Sequence, residues 1–148
     1  MKIEGQFVFP NTTLDSVWDF LTSADRIASC LPGCEQLVPG DDGSYQMTMT
    51  IGIGAIRGKF TGNIRLHDIH PIREYGMTVS GNGAPGLVNG EGTVRLEPVQ
   101  ESTHLTYSGN VSAGGAIASV GQRMIGGAAR MVIDQFFKCA LAGMPRPS

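Results

Sequence analysis

Ile3, Gly5, Phe7 and Phe9 alternate with Lys2, Glu4 and Gln6, a period of two that predicts a strand with one buried face. Pro10, Asn11, Thr12 and Thr13 end it. Leu14, Val17, Trp18 and Leu21, with Phe20 beside them, then fall at helical spacing. Thr13 is the predicted cap, in an incomplete capping box because Ser16 stands where Glu or Gln would complete it, and Asp15 suits the helix dipole. A second short helical turn is expected over 25–30, after which Leu31, Pro32, Gly33 and Cys34 redirect the chain.

From 35 to 112 the pattern is that of an antiparallel sheet. Asp41, Asp42 and Gly43 signal a hairpin turn. Tyr45, Met47, Met49, Ile51 and Ile53 follow on one parity, then Ile56, Gly58, Phe60, Gly62, Ile64 and Leu66 oppose Arg57, Lys59, Thr61, Asn63, Arg65 and His67. Further strands carry Tyr75, Met77, Val79 and Gly81, then Val88, Gly90, Gly92, Val94 and Leu96, and finally Leu105, Tyr107, Gly109 and Val111. Residues 114–143 contain no proline and read as one long amphipathic helix of about 40 Å. One apolar stripe is Ile117, Val120, Met124, Ala128 and Met131, and the stripe beside it is Ile125, Ala129, Val132 and Phe136.

Missing bulk is what ties this pattern to function. Gly5, Gly58, Gly62, Gly81, Gly90, Gly92 and Gly109 share the parity of the large apolar residues, and the helix contains Gly121, Gly126, Gly127, Ala128 and Ala129. Glycine inside regular structure costs stability and marks close backbone approach or space for another group. Both readings stand for these positions; a cavity is the preferred one. Its predicted wall is Phe7, Met47, Met49, Phe60, Ile64, Met77, Val79, Val88, Gly92, Val94 and Tyr107 from the strands, and Val120, Gly121, Met124, Ala128 and Met131 from the helix. Methionine-rich walls adapt to flexible apolar ligands, although methionine at core spacing is usually core. Tyr107 either donates to a ligand head group or satisfies a backbone carbonyl.

The 148 residues are enough for one domain, expected over 1–143 with a short tail at 144–148. A net charge of −2, with no basic run or basic and aromatic patch, argues against nucleic acid as a partner. Neither a secretion signal nor an apolar run long enough to span a bilayer is present, so the expected address is the cytoplasm. Cys30, Cys34 and Cys139 are odd in number and sparse, which argues against a disulfide framework and for small buried thiols. Pro32 and Gly33 break any helix that would stack Cys30 on Cys34, and without a nearby histidine a metal site is not expected. His67 and His104 fall on polar parities, His70 precedes a proline, neither cysteine has an adjacent base, and the glycines of 81–92 lie between strands. No catalytic constellation emerges.

The order of strand, two short helices, antiparallel run and long C-terminal helix is similar to the helix-grip architecture of START-like domains. That is an α+β fold in which a curved antiparallel sheet of about seven strands wraps around the last helix. More specifically, the chain resembles the CoxG family of carbon monoxide dehydrogenase proteins. The resemblance is carried by Gly5 and Phe7; Val17, Trp18, Asp19, Phe20 and Leu21; Leu31, Pro32, Gly33, Cys34 and Glu35; the run 54–62; the glycines of 81–86; and the helix from Gly114 and Gly115 through Gly121 to Asp134, Gln135, Phe136 and Phe137. It implies a non-catalytic accessory protein of a carbon monoxide dehydrogenase-type molybdenum hydroxylase. On that reading a lipophilic ligand, an isoprenoid quinone, is carried under the long helix and links the enzyme to the membrane quinone pool, with no covalent cofactor. The alternative within the resemblance is a maturation or membrane-recruitment adaptor that carries no ligand; a START-like hydrolase or cyclase comes third. Many members have a longer tail that reaches the membrane, so with the sequence ending at Ser148 a tether within this chain is not expected, and contact with the inner face of the membrane would be peripheral.

Overall fold

The computed structural model describes residues 1–40 and 42–144; Asp41 of the predicted hairpin turn and residues 145–148 of the predicted tail lie outside the described residues. Strand β1 (Lys2–Phe9) leads into helices α1 (Leu14–Leu21) and α2 (Ala24–Cys30). The strands β2 (Cys34–Pro39), β3 (Ser44–Ile53), β4 (Ile56–His70), β5 (Glu74–Gly83), β6 (Gly86–Val99) and β7 (Ser102–Gly114) follow. A 3₁₀ segment (Gly115–Val120) precedes helix α3 (Gln122–Gly143). All seven strands form one antiparallel sheet, as the alternation predicts, and their order in it is β1-β7-β6-β5-β4-β3-β2.

Local chemistry explains the boundaries. The Thr13 hydroxyl accepts from the Ser16 backbone N–H at 3.1 Å and so caps α1, and it donates to the Ser16 Oγ at 3.0 Å. The long helix is shorter than its apolar pattern predicts. Gly121 takes φ of +93°, a conformation that L side chains rarely adopt, and divides the tighter 3₁₀ turn from a 22-residue α3 about 33 Å long.

The sheet glycines do two jobs. Gly62 pairs with Gly81, and Gly92 with Gly109, across neighbouring strands. A β-carbon at Gly62, Gly92 or Gly109 would strike the backbone of the adjacent strand, so these positions allow the sheet to bend sharply. Gly81 and Gly90 instead have room, with the nearest atoms 3.7 Å or more from an added β-carbon. Elsewhere the missing bulk is taken up by a neighbour: Tyr107 over Gly5, Pro85 against Gly58, and Met1 against Gly126.

The interior is not one contiguous core. At one end Phe9, Val17, Phe20, Leu21, Leu105, Phe137 and Ala140 are buried together, with Phe7 and Phe9 rings 4.9 Å apart and Phe137 at 5.5 Å from Phe7. Met144, which sequence patterning assigns to the tail, is part of this cluster and 5% exposed. A second cluster gathers Met47, Met49 and Ile64, and a third Ile56, Phe60 and Ile117 at the opposite end.

The cysteines depart from expectation. Cys30 and Cys139 are disulfide-bonded with Cα atoms 5.4 Å apart, within the range such a bond requires, and only Cys34 is a free thiol. The pairing was hidden because it joins α2 to α3 across 109 residues.

Candidate functional site: an apolar cavity under the last helix

Between the concave face of the sheet and α3 lies a cavity of about 360 Å³, in the size range that holds a small organic ligand. Helix α3 packs on β1, β7, α2 and the 3₁₀ segment and shares at most isolated contacts with the strands from β2 to β6, so the cavity lies between it and those strands. Its wall is almost entirely apolar.

Of the predicted wall residues, Met47, Met49, Phe60, Ile64, Met77, Val79, Val88, Gly92, Val94, Tyr107 and Ala128 line the cavity. Phe7, Val120, Gly121, Met124 and Met131 do not. Phe7 packs into the aromatic cluster with Phe9 and Phe137, Val120 packs with Ile117, and a β-carbon on Gly121 would meet nothing within 4 Å. Met124 and Met131 are 43% and 46% exposed. The error is one of helix face: the stripe facing inward is Ile125, Ala129, Val132 and Phe136, extended by Ala128 and Ile133. A glycine-rich helix of low amphipathic contrast offers two plausible stripes, and apolarity alone does not choose between them. Gly126 and Gly127 do not hollow the lid either, the first being covered by Met1 and the second facing open space.

Pattern reading also missed Ile27 and Leu31 of the α2 segment, Leu37 of β2, and two tyrosines, Tyr45 and Tyr75. Both tyrosines share the parity of their neighbours Met47 and Met77, which was the available signal. The chain has three tyrosines, and all three border this cavity. Tyr75 is 5% exposed and meets Trp18 edge to face at 5.6 Å. Burial drives its ionisation well above the ordinary tyrosine range, with the nearby Tyr45 phenol adding to the shift. Tyr107 lies over Gly5 with its ring 5.9 Å from that of Phe137. Among the described residues no hydrogen bond joins any of the three hydroxyls to another residue. No side-chain oxygen is sealed among the described residues without a partner.

Charged side chains stay outside. Glu91, the one ionisable carboxylate at the border, is exposed and at outward parity between Gly90 and Gly92, and Thr93, Ser108 and Asn110 border the cavity from the same outward parity. Among the described residues no group of three or more histidine, cysteine and acidic side chains is placed to hold a metal ion. His67 joins Asp68 at 2.7 Å and Thr78 at 3.1 Å, but on the outer face of the sheet, where the strand N–H groups are taken up by the ladder. The free Cys34 thiol has its ionisation raised, chiefly by burial. No described helix is long and apolar enough to cross a membrane.

Comparison with known proteins places this geometry. A conserved protein from Geobacillus kaustophilus, known as a crystal structure, is 36% identical, with 96% of this chain and 93% of that one covered at a TM-score of 0.91. A START superfamily protein from Mycobacterium smegmatis shares the fold at 13% identity, covering 95% and 94% of the two chains with a TM-score of 0.69. A Chromobacterium violaceum protein does so at 16% identity, covering 95% and 94%, with a TM-score of 0.73. No curated protein matches. The profile of the carbon monoxide dehydrogenase CoxG family matches residues 5–142. The chain belongs to this CoxG family and has its START-like helix-grip fold.

Proposed function

We propose that the protein is a non-catalytic accessory component of a carbon monoxide dehydrogenase-type molybdenum hydroxylase. It carries an isoprenoid quinone in the cavity under α3 and links the enzyme to the membrane quinone pool, working in the cytoplasm with peripheral membrane contact. The observation that carries the reading is the make-up of the wall: an almost wholly apolar lining that includes all three tyrosines, with Glu91 its one charged residue and at outward parity.

That wall discriminates among lipids. A fatty-acid carboxylate or a phospholipid head would enter with no cation to meet it, at a desolvation cost of several kcal/mol. A quinone is neutral, and its carbonyls accept hydrogen bonds from phenol O–H groups. Tyr75 is the favoured donor because it is buried in the same cluster as Phe9 and Phe137, which seats the head group deep and leaves the prenyl tail along the rest of the cavity. Affinity then comes mainly from apolar burial. At about 0.8 kcal/mol per methylene, on the order of ten buried carbons reach micromolar binding before the cost of immobilising the ligand.

Organic extraction and mass spectrometry of the purified protein test this. A co-purifying quinone is the expected result. Recovery of no lipophilic molecule, with the dehydrogenase still captured, would favour an adaptor that carries nothing.

A further inference from the structure

Acidic residues are absent from three long stretches, 43–67, 75–90 and 102–133, although the chain has 13 of them. The fold brings the middles of these stretches to one end of the molecule. The β3–β4 tip at Gly54, the β5–β6 tip at Pro85, the 3₁₀ segment and the start of α3 sit together there. The Ile117 backbone N–H donates to the Pro85 carbonyl at 2.7 Å, and the Met124 sulfur lies 3.9 Å from where a β-carbon on Gly54 would stand.

Arg57, Arg123 and Arg130 are exposed at this end, and none forms an ion pair among the described residues. Arg57 is held against the hairpin tip by its Nε, which donates to the Gly54 carbonyl at 2.9 Å. Arg123 and Arg130 are seven apart on α3 and so share a face, with the exposed Met124 and Met131 flanking them in the same register. Leu87, 42% exposed, adds to the apolar rim.

The acids nearest this end are already engaged or turned away: Glu4 pairs with Lys2 at 3.6 Å, Glu35 with Lys59 at 3.2 Å and Asp134 with Lys138 at 2.9 Å, while Glu91 lies outward in mid-sheet. Asp15, Asp19, Asp25, Asp42, Asp68, Glu74, Glu97 and Glu101 belong to the opposite end, at α1, the start of α2 and the far turns, where only Asp42 and Glu74 are paired with arginine, Arg65 at 3.8 Å and Arg95 at 3.5 Å. A chain of net charge −2 is therefore polarised, with an excess of acid at one end and of arginine at the other, and an anionic surface would attract one end and repel the other.

We infer that this end docks on a bilayer containing anionic lipids, with the three arginines at head-group level and Met124, Met131 and Leu87 entering the interface. Such docking brings the end of the cavity lined by Ile53, Ile56 and Ile125 toward the lipid. Its purpose, loading and release of the ligand without passage through water, rests on the reading proposed above; the docking itself rests on the charge pattern.

Flotation tests it, using vesicles of phosphatidylcholine alone and of phosphatidylcholine mixed equally with phosphatidylglycerol. The wild-type protein should float with the mixed vesicles, stay behind with the neutral ones, and detach as salt rises. Arg123→Glu/Arg130→Glu should lower partitioning by about 30-fold or more, at about fivefold per basic residue removed. Glu97→Lys/Glu101→Lys, at the far end, should not lower it. Uptake of a short-chain, water-soluble quinone by the same preparations separates the two ideas. Quinone uptake without flotation overturns the docking and leaves the cavity reading intact, whereas flotation without quinone uptake does the reverse. Equal flotation with both vesicle types, or an unaffected double-arginine variant, also overturns the docking. If wild type ignores vesicles but loses the dehydrogenase when the arginines are reversed, this end serves an acidic protein surface instead.

Discussion

Cys30, the last residue of α2, is bonded to Cys139 in the C-terminal half of α3, so the short helix beside the cavity is tied to the helix that roofs it. Ile27 and Leu31, on either side of this bond in α2 and just after it, both line the cavity. Thiol titration of the denatured protein should find one reactive cysteine without reductant and three with it. Cys139→Ser should lower stability by about 2–4 kcal/mol, because the bond closes a long loop in the unfolded chain. Three reactive thiols in unreduced protein would contradict the pairing.

The glycines call for a discriminating choice of cavity-filling variant. Gly92→Leu would drive a side chain into the Ser108 carbonyl across the bend, so it should unfold the protein and say nothing about ligands. Ala129→Phe instead projects from α3 into the cavity. It should melt close to wild type, losing well under the about 1–3 kcal/mol typical of overpacking a filled core, while quinone uptake is abolished. Normal uptake by a well-folded Ala129→Phe variant would remove the cavity from the mechanism.

How far the sequence carried the fold depended on which periodicity was at work. In the strands a period of two leaves only two faces to choose between, so Met47, Phe60, Ile64 and Val79 were placed on the inner wall correctly. In α3 the same reasoning chose the wrong stripe, since Met124 and Met131 are as apolar as Ile125 and Val132 and differ only in what surrounds them. Gly126 illustrates a further limit. Its partner is Met1, at the other end of the chain, and no local pattern contains that contact. The Cys30–Cys139 bond was illegible for the same reason.

Tyr75 makes a prediction about alkaline stability. Its ionisation is pushed up in the folded protein, so the folded state holds the phenol proton more tightly than the unfolded chain does. The resulting stability is fully present below about pH 10, the ordinary tyrosine value, and is lost as pH rises beyond it. In an absorbance titration, Tyr75→Phe should remove one phenolate from the alkaline unfolding step and leave the earlier part of the curve unchanged. Loss of signal from the earlier part would show that Tyr75 is accessible to hydroxide in the folded state.

The same phenol should set ligand preference. If it donates to a quinone carbonyl, Tyr75→Phe should weaken binding of a short-chain quinone by roughly 2- to 12-fold, the worth of a neutral hydrogen bond. Binding of an alkyl chain of equal length with no carbonyl should not change. Equal losses for both ligands would mean that the ring acts only through packing.

Trp18 is the only tryptophan, and it meets Tyr75 edge to face at the cavity wall, so its fluorescence reports on the site without a label. Titration of delipidated protein with a short-chain quinone is the most direct measurement of the central claim. Saturable quenching at one quinone per chain, abolished by Ala129→Phe and weakened by Tyr75→Phe, is the predicted result. Quenching that rises without saturation, and to the same extent in wild type and Ala129→Phe, would contradict it.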